Sequence, residues 1–353
     1  MGSKWLIYGA YGYTGELIAR EAVRRGLTPV LAGRNPQKVK VLAAELGLEM
    51  RVFPAEAAAA SQLRDIDVLL HCAGPFSETS EPMIEACLEA RTHYLDITGE
   101  IPVFEHTHAQ HGRAVDAGIV LCSGVGFDVI PTDCTALRLK ELLPDATRLA
   151  LGFDSDSGIS PGTFKTMIQG LGSGSAVRRG GKLVAVPLGS QQRTIDFGRG
   201  SRSAIGIPWG DVATAFYTTG IPDISTWIPM AKPAAAAART SGILRPVLSA
   251  PAVQQTLRKW VEQKVAGPDQ ERRANSPAYI WGEAVNAAGV RKTVRLKTAN
   301  VYDLTVYGAL EVCRRLLEEE HAPGSWTPAK LFGAKLVEEL PGSGKFEVET
   351  FYP

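Results

Sequence analysis

The sequence predicts an α/β protein: a doubly wound parallel sheet, then a second α/β domain built on a mostly antiparallel sheet. Three observations carry this reading. Short apolar runs alternate with helical patterns through the first 130 residues, and a glycine-spaced turn, LIYGAYGYTG (6–15), joins the first run to the first helix. Past Pro131 the apolar runs pair instead around glycine turns. The chain has 353 residues, enough for two separate cores.

Taken in order, strand patterns fall at 5–8, 29–32, 49–53, 67–72, 94–97 and 119–122, with helical patterns at 16–25, 36–46 and 81–91 between them. Strands of this length separated by helices indicate right-handed parallel crossovers. The run DVLLHC (67–72) is apolar on both faces, as a central parallel strand is. A helix at 132–143 stops before Pro144. Strands follow at 148–153, 183–187, 193–197, 203–207, 279–288 and 291–298. The Ala-rich stretch 230–265 reads as helix interrupted by Pro233, Pro246 and Pro251, and helices at 302–320 and 328–340 precede a last strand at 345–351.

Gly9, Gly12 and Gly15 lie between an apolar strand and an amphipathic helix, where glycines let a backbone approach a pyrophosphate and the free amides at the helix start can bind it. This context marks a Rossmann-type dinucleotide site, with the amides of Tyr11, Tyr13 and Thr14 beside the three glycines. NAD sites place an acid about twenty residues further on to hold the ribose 2′-hydroxyl. Here LAGRNPQK puts Gly33 and Arg34 at that place, with no acid until Glu45. A guanidinium there suits a 2′-phosphate, so the expected cofactor is NADP(H). The turn CAGPF (72–76), at the end of the fourth strand, offers Ala73, Gly74 and Pro75 to the nicotinamide ribose.

Other patterns exclude more than they assign. EHTHAQH (105–111) puts only His108 and His111 on one helical face, so no metal is expected. No Tyr is followed four residues later by Lys, and no G-x-S-x-G elbow is present. A net charge of +1 gives no global attraction to nucleic acid. Five scattered cysteines, no signal-peptide pattern and no long apolar span predict a cytoplasmic protein without a transmembrane segment. From Ser157 to Val261, however, Asp196, Asp211 and Asp223 are the only acids against twelve Lys and Arg, among them Arg178 and Arg179. That bias suggests an anionic substrate, a thioester carrier or contact with a lipid surface; dispersed solvated charge is the alternative. The run 224–238 reads as a lid, a greasy docking surface or a buried helix.

GAYGYTG, AGR, CAGPF, YLDITGE (94–100) and GVGFDVIPTD (124–133), with SGISPGT (157–163) and TPAKLFGAKLVEEL (327–340), together resemble the saccharopine dehydrogenase-like oxidoreductases, most nearly the trans-acting enoyl reductase branch. The resemblance implies a dinucleotide-binding domain over 1–130 and a substrate and dimerisation domain over 131–301. It also implies that 302–353 pack back on the first domain, and that the protein is a homodimer. The expected activity is NADPH-dependent reduction of an activated double bond, C=C of an enoyl thioester or a polyketide or lipid intermediate, on a small-molecule or carrier-bound acyl substrate. A C=N reductase is the first alternative and a non-catalytic NADP sensor or scaffold the second. Phe127 is expected to face the nicotinamide. Asp128, Tyr94 and Tyr302 are the candidate proton donors, with solvent as the alternative.

Overall fold

The computed structural model describes residues 3–157, 175–231, 253 and 268–353. The chain divides into two units, residues 1–130 with 302–331 and residues 131–301 with 332–353.

In the first unit, β1 (Trp5–Tyr8), β2 (Val30–Gly33), β3 (Met50–Val52), β4 (Val68–His71), β5 (His93–Asp96) and β6 (Val120–Cys122) form a parallel sheet. Its order is β6-β5-β4-β1-β2-β3, and a two-residue strand, β15 (Gly324–Ser325), extends it beyond β6. Strands β1, β2 and β4 are buried at every residue, which is why their sequences are apolar throughout rather than alternating. The crossover helices are α1 (Tyr13–Arg24), α2 (Pro36–Leu46), α3 (Phe76–Ala90), α4 (Ile101–Ala109) and α5 (His111–Ala117). Leu6, Leu69, Met83, Ile84 and Leu121 centre one core between sheet and helices. The stretch read as a single helix through His111 breaks at Gln110 into α4 and α5. Helix α3 begins at Phe76, five residues ahead of the sequence pattern, because a distant carboxylate caps it (below).

The second unit opens with α6 (Ile130–Leu142) and holds a nine-stranded sheet. Its strands are β7 (Ala146–Ser155), β8 (Ser175–Arg179), β9 (Lys182–Val186), β10 (Gln192–Asp196), β11 (Ser201–Ile207), β12 (Asp223–Pro229), β13 (Ala278–Asn286), β14 (Arg291–Thr298) and β16 (Glu347–Phe351). The main path runs β10-β11-β12-β7-β13-β14-β16, and the β8–β9 hairpin joins beside β12. Pairing is antiparallel except between β7 and β12, as a mostly antiparallel sheet requires. Gly180 and Gly181 turn the β8–β9 hairpin at φ +54° and +79°, the backbone such two-residue turns need.

Helices α6 and α7 (Asp211–Thr219) cover one face, where Leu139, Ala215 and Ile221 pack with Leu149, Leu151 and Ile224. Gly282 permits the approach: a Cβ there would lie 2.6 Å from Thr135. The remaining helices are α8 (Gln270–Ala274), α9 (Val301–Glu318), which runs into the first unit, α10 (Pro328–Phe332) and α11 (Leu336–Glu339).

Two expectations need correction. The described part of the run 224–238 is neither lid nor helix: it is β12, an interior strand with Ile224, Thr226 and Trp227 buried. A short apolar run carries no period that separates strand from helix, and neighbouring strands decided it. The single helix at 328–340 is two short ones, because Gly333 adopts φ +85° between them. The Ala-rich stretch 230–265 and SGISPGT lie almost wholly outside the described residues.

Candidate functional site

The glycine turn is built from three different constraints. Gly9 takes φ +79°, and a Cβ on it would meet Ala73 backbone and side chain at 2.8 Å. Gly15 lies under the turn, where a Cβ would fall on the Gly9 carbonyl. Both are therefore needed to fold the loop. Gly12 differs, since a Cβ there would meet only Gly9 O, at 3.2 Å, and its φ of −74° is ordinary. Its other side opens outward, which is the cradle a phosphate needs. Helix α1 starts at Tyr13, and the residue before it, Gly12, brings no side chain to cap the first turn, a start of the kind that receives an anion. The Gly12 amide itself is taken up by Gly9 O at 2.9 Å, and those of Gly9 and Ala10 by Ala32 O.

Beside the turn, Arg34 follows the last residue of β2 and is exposed. Among the described residues it has no ion-pair partner, and no carboxylate occupies the position that holds a ribose 2′-hydroxyl. Sequence reading named Tyr11 for its amide but missed the place of its ring and of Lys38. The Tyr11 ring lies across Gly33, where a Cβ would come within 2.5 Å of it, and the Lys38 ammonium sits 5.7 Å from the Tyr11 ring centroid. The glycine in AGR was the available signal, because only glycine admits a ring packed on that backbone. These features fit a dinucleotide.

The turn Ala73–Gly74–Pro75, which contains a cis peptide before Pro75, is held from both sides. Thr79 donates its hydroxyl hydrogen to Ala73 O at 2.8 Å, within reach also of Pro75 O. Its oxygen must then accept from His71 Nε2, 2.9 Å away, which sets the His71 tautomer. Burial holds the His71 pKa down to about 3, so the imidazole is neutral. From the other side Glu100 accepts the amides of Phe76 and Ser77 at 2.8 and 2.9 Å, capping α3 by a carboxylate from 24 residues away.

The candidate proton donors separate clearly. Tyr94 is wholly buried in β5, and its hydroxyl donates to Asp96 Oδ2 at 2.9 Å. Asp96 also accepts from Ser123 Oγ, Thr98 N and Gly124 N, while burial raises its pKa to about 6. Tyr94 is thus part of the network that shapes the loop after β6, with none of its own surface exposed. Tyr302, 6% exposed, packs edge-on to Tyr13 at 5.1 Å. Phe127 is buried, its amide donating to Thr305 Oγ1 at 3.0 Å. Asp128 is half-buried, facing Gly99, where a Cβ would come 2.7 Å from its carboxylate. Burial, then the nearby charge of Glu100, raises the Asp128 pKa to about 7.

Arg178 does not stand where a docking charge would. It is 4% exposed, its guanidinium donates to Val212 O and Gly181 O, and it lies 4.2 Å from the Phe216 ring centroid. Arg179 is exposed. Among the described residues no three His, Cys, Asp or Glu side chains gather to hold a metal; His111 instead accepts from the Ser325 amide at 3.1 Å. No helix among them is long and apolar enough to cross a membrane.

Comparison with known proteins agrees with this geometry. Residues 5–122 match the family model of the saccharopine dehydrogenase NADP binding domain. A human saccharopine dehydrogenase-like oxidoreductase is 26% identical over 202 residues, 49% of this chain and 47% of that protein. A trans-acting enoyl reductase of Mycobacterium tuberculosis is 28% identical over 218 residues, 57% of this chain and 51% of that one. The chain spans about half the length of the curated relatives it matches. In fold it is similar to apo saccharopine dehydrogenase (L-Glu forming) from Saccharomyces cerevisiae, with a TM-score of 0.66, 10% identity, and 99% of this chain and 100% of that chain covered. Residues 5–122 thus match an NADP binding domain of the saccharopine dehydrogenase type, and over about half of its length the chain is similar to saccharopine dehydrogenase-like oxidoreductases.

Proposed function

We propose that the protein is an NADPH-dependent reductase that adds hydride and a proton across an activated double bond, with C=C of an enoyl thioester or a polyketide or lipid intermediate as the first reading. The observation that carries the cofactor choice is Arg34, exposed and unpaired among the described residues at the end of β2, where an NAD site would hold an acid. The turn at Gly9–Gly15 and the uncapped start of α1 bind the diphosphate, Arg34 the 2′-phosphate, and Ala73, Gly74 and Pro75 flank the ribose on a turn fixed by Thr79 and Glu100. The nicotinamide, when bound, supplies the hydride.

Asp128 supplies the proton. Burial, and after it the nearby Glu100 charge, raise its pKa to about 7, so it is substantially protonated at neutral pH. The carboxyl transfers it from Oδ to the substrate and recovers one from water. Tyr94 gives its hydroxyl hydrogen to Asp96, and Asp128 is chosen over Tyr302 because its carboxyl, raised by burial to about 7, can gain and lose a proton near neutral pH.

The C=C reading draws on the relatives named trans-acting enoyl reductase. Homodimer formation remains part of the proposal. The test is NADPH consumption against enoyl thioesters and cyclic imines in parallel. Turnover of thioesters alone is expected; turnover of imines alone moves the assignment to C=N. Tight NADPH binding without turnover of either panel would make the chain a sensor.

A further inference from the structure

The face of the nine-stranded sheet opposite α6 and α7 bears a basic trough. Its floor follows from strand register. Asp223 on β12, Arg148 on β7, Val285 on β13, Arg291 on β14 and Phe351 on β16 are successive neighbours across the sheet. Residues paired in this way project from one face. In the next row Ser225, Ala150 and Glu283 are neighbours, and the small side chains of the first two leave a hollow beside Arg148. The hollow measures about 880 Å³, in the range of small-ligand sites, and Arg179 and Gln191 also line it.

Its charge is not balanced from within. Among the described residues neither Arg148 nor Arg179 has a carboxylate within ion-pair distance, and both are exposed. Arg193 and Arg291 share one carboxylate, Glu283, at 3.1 and 3.8 Å. Asp223, the other acidic side chain of the trough, accepts the Gly180 amide at 2.7 Å. Arg193 is held in place over Trp281 at 4.8 Å and Trp227 at 5.5 Å, so its ordering is already achieved before any ligand arrives. Arg148 and Arg291 flank Val285 from roughly 10 Å apart, two strand spacings. Two long side chains at that separation can each take one phosphoryl group.

We propose that this trough binds a diphosphate-bearing small molecule, held by Arg148, Arg179 and Arg291, with Glu283 as the internal carboxylate that the ligand must compete with. The assignment is independent of the nucleotide turn and of the reductase reading. Glu283 gives it an unusual sign: removing this negative group releases two guanidinium groups toward the ligand, so a loss of charge strengthens binding.

The experiment is calorimetric titration of the full chain with inorganic diphosphate at low salt, in the parent and in a Gly12→Val background that silences the nucleotide turn. Saturable binding is expected in both. Arg148→Ala and Arg291→Ala should each weaken it about tenfold, as loss of a charge-assisted contact does, while NADPH binding stays unchanged. Glu283→Gln should tighten it several-fold. No binding in either background would overturn the proposal. Binding that disappears in Gly12→Val and ignores Arg148→Ala would overturn it too, by placing the anion at the glycine turn. An Arg148-dependent dimer in sedimentation that takes up no diphosphate would assign the face to a second copy of the chain instead.

Discussion

At the scale of single residues, two side chains divide the proposed work, and each carries a prediction. Arg34 is exposed, so removing it costs the fold little and reports on binding alone. NADPH should bind at least tenfold more tightly than NADH, a difference of about 1.4 kcal/mol. Arg34→Ala should erase most of that gap and leave the NADH dissociation constant nearly unchanged; equal constants in the parent would remove the case for NADP. Asp128 reports on chemistry. A general acid must be protonated to act, and its pKa lies near 7, so kcat should fall as pH rises through that value. Asp128→Asn should lower kcat by roughly a hundredfold, the low end for general acid catalysis, and flatten the profile. A parent-like profile in that variant would point to solvent as the proton source.

At the scale of elements, the loop between β1 and α1 separates folding from binding residue by residue. Substituting Gly9 or Gly15 drives a Cβ into backbone, so such variants test whether the turn forms. Gly12 has ordinary dihedrals and outward space, so Gly12→Val should keep a parent-like circular dichroism spectrum while losing NADPH. Saturation of that variant by NADPH at parent concentrations would reduce the turn to a bend. Strand β8 offers a contrast. Arg178 at its end is buried and bonded to two backbone carbonyls, so Arg178→Glu should destabilise the protein by about 3 kcal/mol or more through an uncompensated buried charge. Its signature is a lowered Tm. Arg179→Glu, on the exposed neighbour, should leave Tm nearly unchanged, which a melting curve of each variant checks.

At the scale of the whole molecule, pH acts on stability through buried carboxyl groups of the first unit. Asp96 and Asp128 have pKa values raised to about 6 and about 7, chiefly by burial. Between the ordinary aspartate value and these, the folded chain holds more protons than the unfolded one, so stability falls as pH rises through the interval. The contribution of these two carboxyls to the unfolding free energy from denaturant titration should therefore decline from about pH 4 to pH 7, against the opposite slope from His71, buried neutral with its pKa near 3. Asp128→Asn should remove part of that slope and be relatively more stable at pH 8. A slope that the substitution leaves unaltered would mean that Asp128 titrates normally.

Much of this protein was legible in its residues taken in order. Continuous apolar runs identify the buried parallel strands, because a strand covered on both faces has no polar side to alternate with. The glycine spacing points to a nucleotide turn and Arg34 carries the proposed preference for NADP, since both are read from local backbone and charge. What the order of residues could not decide depended on contacts between distant segments. Glu100 caps a helix 24 residues earlier and raises the pKa of Asp128. Tyr94 looks like an available hydroxyl until Asp96, Ser123 and Gly124 close around it. Arg178 looks like a surface charge until α7 covers it, and Asp223, Arg148, Val285 and Arg291 become one row only when four strands align. Periodicity records which side of an element is buried, but the tertiary structure alone determines what each buried or exposed group meets there, because burial and neighbouring charge set its chemistry.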